Sequence, residues 1–587
     1  MIAVLQHSPV RAARAATLAV CAAAFAFGVA AQTAPASSVH AATQMVVTAN
    51  GYATDAGLEI LRAGGNAVDA AIAVQLVLTL VEPQSSGIGG GAFMLLYDTP
   101  FSGVGEPVIT AYEGRETAPA AATPDMFLNE NGSPASFGVI GVGGLSVGVP
   151  GVLRMLEAAH RKHGRLPWAK LFEPALALAE SGFEMSPRLH SLLDGFKRFA
   201  RGEEFRRHFY DAGGEPLPVG YRVKSPEYAA TLRLLAEKGA EAMYSGELAA
   251  AIAKEVRENS VRPGRMTLDD LKQYSAHESA PLCSPYREWR ICGPQLPSSG
   301  GITTQQILRM LSGFELAELR DDPATAIHLI SEASRLAFAD RNLYLGDPQF
   351  VAAPVAALLD ARYLEARAKA IDLKTALPSV AAGVPNGATA WNYAPAVSAE
   401  RPSTSHFSIV DRTGDAVAMT TSVQGAFGSQ LMVGGFILNN QLTDFAYEPE
   451  ADGKPVANRI EGGKRPLSSM APTLVLDAQG RLRLLVGSPG GTRIIGFVAQ
   501  TIVGVLDFGL DVQQAVAAPH FLAQEGPIEL EDGTAVAKQA DALKALGHTV
   551  ALRDLNSGLH AIAIDYGDRR VLSSGVDPRR EGVARGD

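Results

Sequence analysis

Cysteine is nearly missing from this chain: three occur in 587 residues. That excludes a cysteine-dense disulfide scaffold and any zinc site of the paired C-x-x-C kind. Positive charge is not in excess either. The formal net charge is −10, and no basic cluster with interleaved aromatics occurs, so the electrostatic footprint of a nucleic-acid binder is absent. No H-E-x-x-H motif supports a metal; His160-Arg-Lys-His163 reads as a charged helix face. No internal repeat is visible. The glycine-rich "GIGGGAF" at 87–93 lacks the lysine of a phosphate-binding P-loop and the spacing of a dinucleotide fingerprint. What the chain does have is 47% hydrophobic residues and 59 glycines. A chain of this length and composition makes two to four domains or one large composite core.

The first residues differ from the rest. Arg11 and Arg14 precede the apolar "AATLAVCAAAFAFGVAAQTAPA". A positive start, an apolar run and small residues near a cut point read as a secretory signal over residues 1–31, with cleavage after Ala31; Ala36 is the alternative. The run is too short and alanine-rich for a membrane span, an uncleaved anchor being the competing reading. Cys21 leaves with the signal. Cys283 and Cys292 remain, in "PLCSPYREWRICGP". They could face each other across a hairpin in an oxidising compartment, but strand register is not fixed by sequence.

Two textures follow. From about 45 to 400, helical patterns dominate. "YATDAGLEILRA" and "NAVDAAIAVQLVLTLV" are separated by Gly64-Gly65, the second helix burying Ala70, Ile72, Ala73, Leu76 and Leu80. Further helices fit "VPGVLRMLEAAHRKHG", "WAKLFEPALALAESG", "EYAATLRLLAEKG" and "AIHLISEASRLAFADRNLYL". From Thr404 on, alternating strands and turns take over, with "DRTGD" and "DAQGR" as hairpin signals. Between the textures lies a loose, proline-rich surface linker, residues 373–403. It ends at the hydroxyl-rich "RPSTSHFSIVD".

That junction suggests a chemistry. A threonine hydroxyl is a weak nucleophile and needs a base. If the Ser403–Thr404 bond is cut, Thr404 gains an α-amine beside its own hydroxyl. Such an amine titrates at roughly 7.7–8.0 and can take a proton near neutral pH. One residue then supplies nucleophile and base.

The segment "TSHFSIVD" at 404–411 resembles the threonine signature of the γ-glutamyltransferases (glutathione hydrolases), which are N-terminal nucleophile hydrolases. "AGLEILRAGGNAVDAAIAVQLVLTLVEPQSSGIGGGAFMLLYD", "YEGRETAPAAATPDMF", "PSSGGI", "NNQLTDF", "GKRPLSSMAPTLV" and "GSPGGTRII" resemble other blocks of that family, in family order and across nearly the whole chain after the signal. The resemblance implies an α+β fold, the four-layer αββα sandwich, built from a large piece (32–403) and a small catalytic piece (404–587). It implies no metal or organic cofactor.

The resemblance also assigns residues. Thr404 is the nucleophile, and Ser422, where threonine is usual, is the hydroxyl that bonds it. Arg115 binds the α-carboxylate of a glutamyl group; a planar guanidinium can donate two parallel bonds to one carboxylate. Ser468 and Ser469 donate to the same carboxylate. Asp444, in Thr443-Asp444 where the family often has Asp-Asp, takes the α-ammonium, assisted by Gln441. Asn439 and Asn440 support the loop. Gln424 stands where many members have an asparagine that touches the glutamyl group. Gly490 and Gly491 offer N–H groups to the oxyanion, donors worth roughly 2.7–4 kcal/mol each in related chemistry. His406 reads as a packed core histidine. The loop 445–464 is shorter than the lid of many members, which implies a more open site.

The activity so implied is cleavage of γ-glutamyl amides such as glutathione, the glutamyl group passing to water or to an amino acid or peptide. The two pieces are expected to stay together as a heterodimer, periplasmic or secreted, without stable membrane insertion. Three other readings compete. A glutaryl or cephalosporin acylase of the same fold has no α-ammonium for Asp444. A secreted homologue without activity stays uncut. A serine hydrolase would use Gly144-Leu-Ser146-Val-Gly148, which fits G-x-S-x-G.

Overall fold

The alternating segments of the chain pair into two seven-stranded sheets. The structure, a computed structural model, describes residues 37–99, 106–387, 391–396 and 400–587. The expected export signal lies outside the described residues. One sheet runs in the order Val583–Gly586, Met45–Thr48, Ser405–Val410, Ala416–Ser422, Gly91–Asp98, Val108–Gly114 and His277–Ser279, all antiparallel. The other runs His40–Ala41, Arg570–Val576, His560–Tyr566, Leu482–Gly487, Thr473–Leu476, Trp289–Gly293 and Leu282–Tyr286, again antiparallel.

Period two decides which layer each residue joins. In Gly91–Asp98, Met94 and Leu96 turn to a helical layer, while Leu95 and Tyr97 turn to the facing sheet. In Leu482–Gly487, Leu485 turns inward to that same seam, and Leu484 and Val486 turn outward. The first helical layer is led by Gly51–Arg62 and Ala67–Val81. The second helix starts in a capping box, Asn66 and Asp69 each bonding the other's backbone N–H, and is buried on every side. Ser299–Leu311, Pro323–Tyr344 and Arg493–Leu506 form the opposite layer. The order of layers is helix, sheet, sheet, helix, as expected.

Residues before and after Ser403–Thr404 share both sheets. Met45–Thr48 lies between Val583–Gly586 and Ser405–Val410, and Trp289–Gly293 pairs with Thr473–Leu476. A cut at this bond therefore leaves each piece hydrogen-bonded to the other across two sheets. In the hairpin of Leu282–Tyr286 and Trp289–Gly293, Cys283 stands opposite Cys292, and the two are joined, Sγ–Sγ 2.02 Å. Pairing settles the register that the sequence left open.

The stretch 373–403 departs from the expected loose linker. Its described residues form no helix or strand, yet they are tied down along their length. Ala376 N–H donates to Leu546 O, Gly383 N–H to the Asp340 carboxylate and Ala394 N–H to Pro455 O. Proline and glycine correctly signalled the lack of regular structure, but not the distant groups that anchor it.

Candidate active site

The end of that anchored stretch enters the sheet at Ser405. Thr404, one residue before the strand, has φ +91°. For a β-branched residue this is a strained conformation, costing about 1–3 kcal/mol. Its neighbours hold it there. Ser403 Oγ donates to Gln84 O at 2.9 Å, Gly490 N–H donates to the Ser403 carbonyl at 3.0 Å, and Arg580 Nη1 donates to the Thr404 carbonyl at 3.4 Å. Thr404 Oγ1 donates to Ser422 Oγ at 3.1 Å. Ser422 ends the partner strand of the hairpin, so register brings it beside Thr404.

Glycine is needed at 490 and 491 for two reasons. Their φ values are +141° and +61°. A Cβ at 491 would stand 2.8 Å from the Arg401 carbonyl oxygen. Among the described residues it is Gly490, not Gly491, that bonds the Ser403 carbonyl. The uncut chain thus has a donor on the carbonyl that precedes the candidate nucleophile. A cavity of about 400 Å³ opens beside this segment, lined among others by Arg401, Gly490, Thr492, Arg493 and Glu525.

Opposite charges meet nearby. Arg115 follows the strand Val108–Gly114 and is fully buried. Its Nε donates to Pro466 O at 3.0 Å, and its Nη2 donates to Leu467 O at 2.9 Å and to Asp444 Oδ2 at 2.6 Å. Among the described residues its Nη1 has no hydrogen-bond partner, and it lies 3.6 Å from Glu116 Oε2. Burial pushes the Glu116 carboxyl up to about 8. Gln441–Asp444 is one 3-10 turn, which places Gln441 and Asp444 on one face. Gln441 Nε2 reaches Asp444 Oδ2 at 2.8 Å, and Gln424 Nε2 reaches Oδ1 at 2.9 Å. Gln424 itself sits at φ +78°. Asn439 bonds Gly89 O and Gly148 O, and Asn440 bonds Gly141 O, so both brace the loop.

The serine pair divides. Ser468 Oγ accepts from Met470 N–H at 3.1 Å. Ser469 Oγ accepts from Arg341 Nη2 and donates to Glu400 Oε1, both at 2.9 Å. "PSSGGI" proves to be a buttress for this loop. Ser299 N–H and Oγ both donate to Ser468 O, and a Cβ on Gly300 would lie 2.4 Å from Met470 O.

Other motifs have structural duties. "GIGGG" serves close approach: a Cβ on Gly90 would lie 2.0 Å from Ser422 O. His406 is buried, bonds Thr420 Oγ1 at 2.8 Å and Ser408 Oγ at 3.2 Å, and is held well below its ordinary pKa by burial and then by His560. It is a packed histidine, as expected. Sequence reasoning missed Arg341, Glu400 and Arg580. Arg341 lies within the helix Pro323–Tyr344, and helical periodicity does not mark which of its charges turns inward. Glu400 is separated from its partners Arg341 and Ser469 by 59 and 69 positions, and no local pattern marks such a pair.

Comparison with known proteins follows this geometry. The family profile described as Gamma-glutamyltranspeptidase matches residues 53–586. The chain is 36% identical over 556 residues to a "Glutathione hydrolase proenzyme" of Escherichia coli (strain K12), covering 92% of this chain and 91% of that protein. It is 35% identical over 534 residues to the "Acylase ACY 1 proenzyme" of Pseudomonas sp. (strain SE83), covering 89% and 90%. Among solved structures it resembles a cephalosporin acylase from Bacillus halodurans, with a TM-score of 0.81, 26% identity, and coverage of 94% and 98%.

Proposed function

The chain belongs to the gamma-glutamyltranspeptidase family, and from that premise we propose that it is a self-processing γ-glutamyl acyltransferase and hydrolase whose nucleophile is Thr404. The observation that carries this reading is the strained Thr404, with its hydroxyl on Ser422 and the preceding carbonyl on Gly490 N–H.

Maturation begins when Thr404 Oγ1 attacks the Ser403 carbonyl carbon. Gly490 N–H stabilises the oxygen as it becomes negative. The C–N bond breaks, the nitrogen takes a proton and becomes the Thr404 α-amine, and an ester links Ser403 to Thr404. Water hydrolyses the ester, which leaves one piece ending at Ser403 and one starting at Thr404. Cleavage relieves the strain at Thr404. His406 is bonded elsewhere, so the new amine is the base beside the hydroxyl.

In turnover the amine takes the hydroxyl proton as Oγ1 attacks the γ-amide carbonyl. The same amine passes that proton to the departing nitrogen. A γ-glutamyl ester of Thr404 forms, and water or an amino acid or peptide amine then takes the glutamyl group. Arg115 and Asp444 form a buried pair of opposite charges, and a glutamyl α-carbon carries the complementary pair. The carboxylate goes to Arg115 with Ser468 and Ser469, and the ammonium goes to Asp444 with Gln441 and Gln424. The cavity beside Gly490 has room for the leaving or accepting amine. We place the mature enzyme in the periplasm or outside the cell, on the strength of the N-terminal segment; no helix among the described residues is long and apolar enough to cross a membrane.

The acylase relatives supply a second reading, glutaryl-type amides. Such substrates carry no α-ammonium for Asp444. N-terminal sequencing of the small fragment should begin at Thr404. The enzyme should hydrolyse γ-glutamyl-p-nitroanilide faster than glutaryl-p-nitroanilide. A preference for glutaryl selects the acylase, and a chain that stays whole and inactive selects the silent homologue.

A further inference from the structure

Glu400, four residues before Thr404, turns its carboxylate onto Ser469, one of the serines assigned above to the substrate's carboxylate. Its side chain is 6% exposed. Oε1 accepts from Arg341 Nη2 at 2.8 Å and from Ser469 Oγ at 2.9 Å, and Oε2 accepts from Ser469 N–H at 3.0 Å. This is a built carboxylate site. A guanidinium, a hydroxyl and a backbone N–H converge on two oxygens, and Arg341 is itself anchored through Nε to Ser299 Oγ at 2.9 Å. Asp444, Arg341 and Arg115 are among the charges that act on Glu400. Two of these three are the residues assigned above to the substrate's ammonium and carboxylate.

The segment that follows is fastened at each step. The Arg401 carbonyl packs on Gly491, and the Ser403 carbonyl bonds Gly490 N–H. A carboxylate and the amide to be broken are therefore both held in the uncut chain. A substrate must present the same two groups to the same two places. Both cannot be there at once.

We propose that Glu400 is an internal carboxylate ligand: it fills the subsite that Ser469 and Arg341 offer to the substrate's carboxylate, aligns the Ser403–Thr404 bond for cleavage, and keeps the uncut chain closed to γ-glutamyl compounds. Arg341 thereby becomes a specificity residue alongside Arg115. The inference rests on the functional reading above. After the cut, Ser403 is a chain end, and Glu400 can withdraw with it to open the subsite.

The test uses chains that cannot cut themselves. Thr404→Ala, alone and combined with Glu400→Ala or with the isosteric Glu400→Gln, is titrated with L-glutamate by calorimetry and by thermal shift. We expect no glutamate binding by the single variant, and saturable binding once Glu400 is removed or neutralised. In chains that keep Thr404, Glu400→Gln should slow cleavage about tenfold through the lost charged hydrogen bonds, and Glu400→Asp should restore part of that rate. Glutamate binding by Thr404→Ala alone, equal to that of the double variants, overturns the proposal. So does the absence of binding in both double variants. A wild-type chain that is uncut and inactive sinks the functional reading. A wild type that is cut and active, with no gain of binding on removing Glu400, sinks this inference alone.

Discussion

Ser146 and Thr404 are both hydroxyl residues near glycines, and both sit where a catalytic motif could be read. Their surroundings separate them. Ser146 is fully buried in the 3-10 turn Gly144–Ser146, and its Oγ donates to the Gly143 carbonyl of the same turn at 3.4 Å. Glycine at 144 answers to packing, because a Cβ there would lie 1.9 Å from Val256 O. Thr404 instead has a strained backbone, a hydroxyl partner from the next strand and an N–H donor on the preceding carbonyl. A motif states which atoms are available. Reactivity depends on strain, access and partners, which neighbouring letters do not encode.

The sharpest break of this comparison is a pair of alanines. Thr404→Ala should remain a single chain on a denaturing gel and lose γ-glutamyl hydrolysis by at least about a thousandfold. Ser146→Ala should be cut and active within about twofold of wild type. The reverse result hands the chemistry to the serine. Next in size is the buried charge pair. Asp444→Asn leaves Arg115 uncompensated, and breaking one partner of such a pair costs about 3–5 kcal/mol. The ratio kcat/KM for γ-glutamyl-p-nitroanilide should fall about a hundredfold or more, while the value for glutaryl-p-nitroanilide falls less. Equal losses would detach Asp444 from the ammonium.

A smaller effect is expected at Ser422. Removing its hydroxyl in Ser422→Ala should slow both cleavage and turnover about tenfold, and Ser422→Thr should keep both. The smallest effect concerns Glu116 and its response to pH. Burial raises its carboxyl to about 8, above the unfolded value of about 4.3. The folded state therefore holds the proton more tightly, and the associated stability, full below about pH 4, is lost as pH climbs toward 8. Glu116→Gln cannot ionise, so its melting temperature should decline less between pH 5 and pH 8 than that of wild type. An identical decline would mean that Glu116 ionises freely in the folded chain.

Much of the fold was legible because its signals are local. The glycine break at Gly64-Gly65 and the apolar run after it marked a buried helix, and Asn66 and Asp69 cap its start through their own backbone bonds. "DRTGD" marks the hairpin that carries Thr404 and Ser422. The linker was half legible: proline and glycine announced irregular backbone, but the contacts that fix it come from Leu546, Asp340 and Pro455, all distant in sequence. In the candidate site, the threonine, Arg115, Asp444 and Gly490 could be named through resemblance. The division of labour between Ser468 and Ser469 could not be, nor could the carboxylate that Glu400 brings to Ser469 and Arg341.

The sequence alone determined the main helices and the strands and hairpins after Thr404, because periodicity and turn chemistry act between residues a few positions apart; the order of the layers and the candidate cleavage bond followed from resemblance. The tertiary structure decided the rest: that Thr404 is strained, that Arg115 meets Asp444 across 329 positions, and that the Glu400 carboxylate meets Ser469 and Arg341. Those depend on distances through space and on the removal of water, and both exist only once the two sheets have closed on each other.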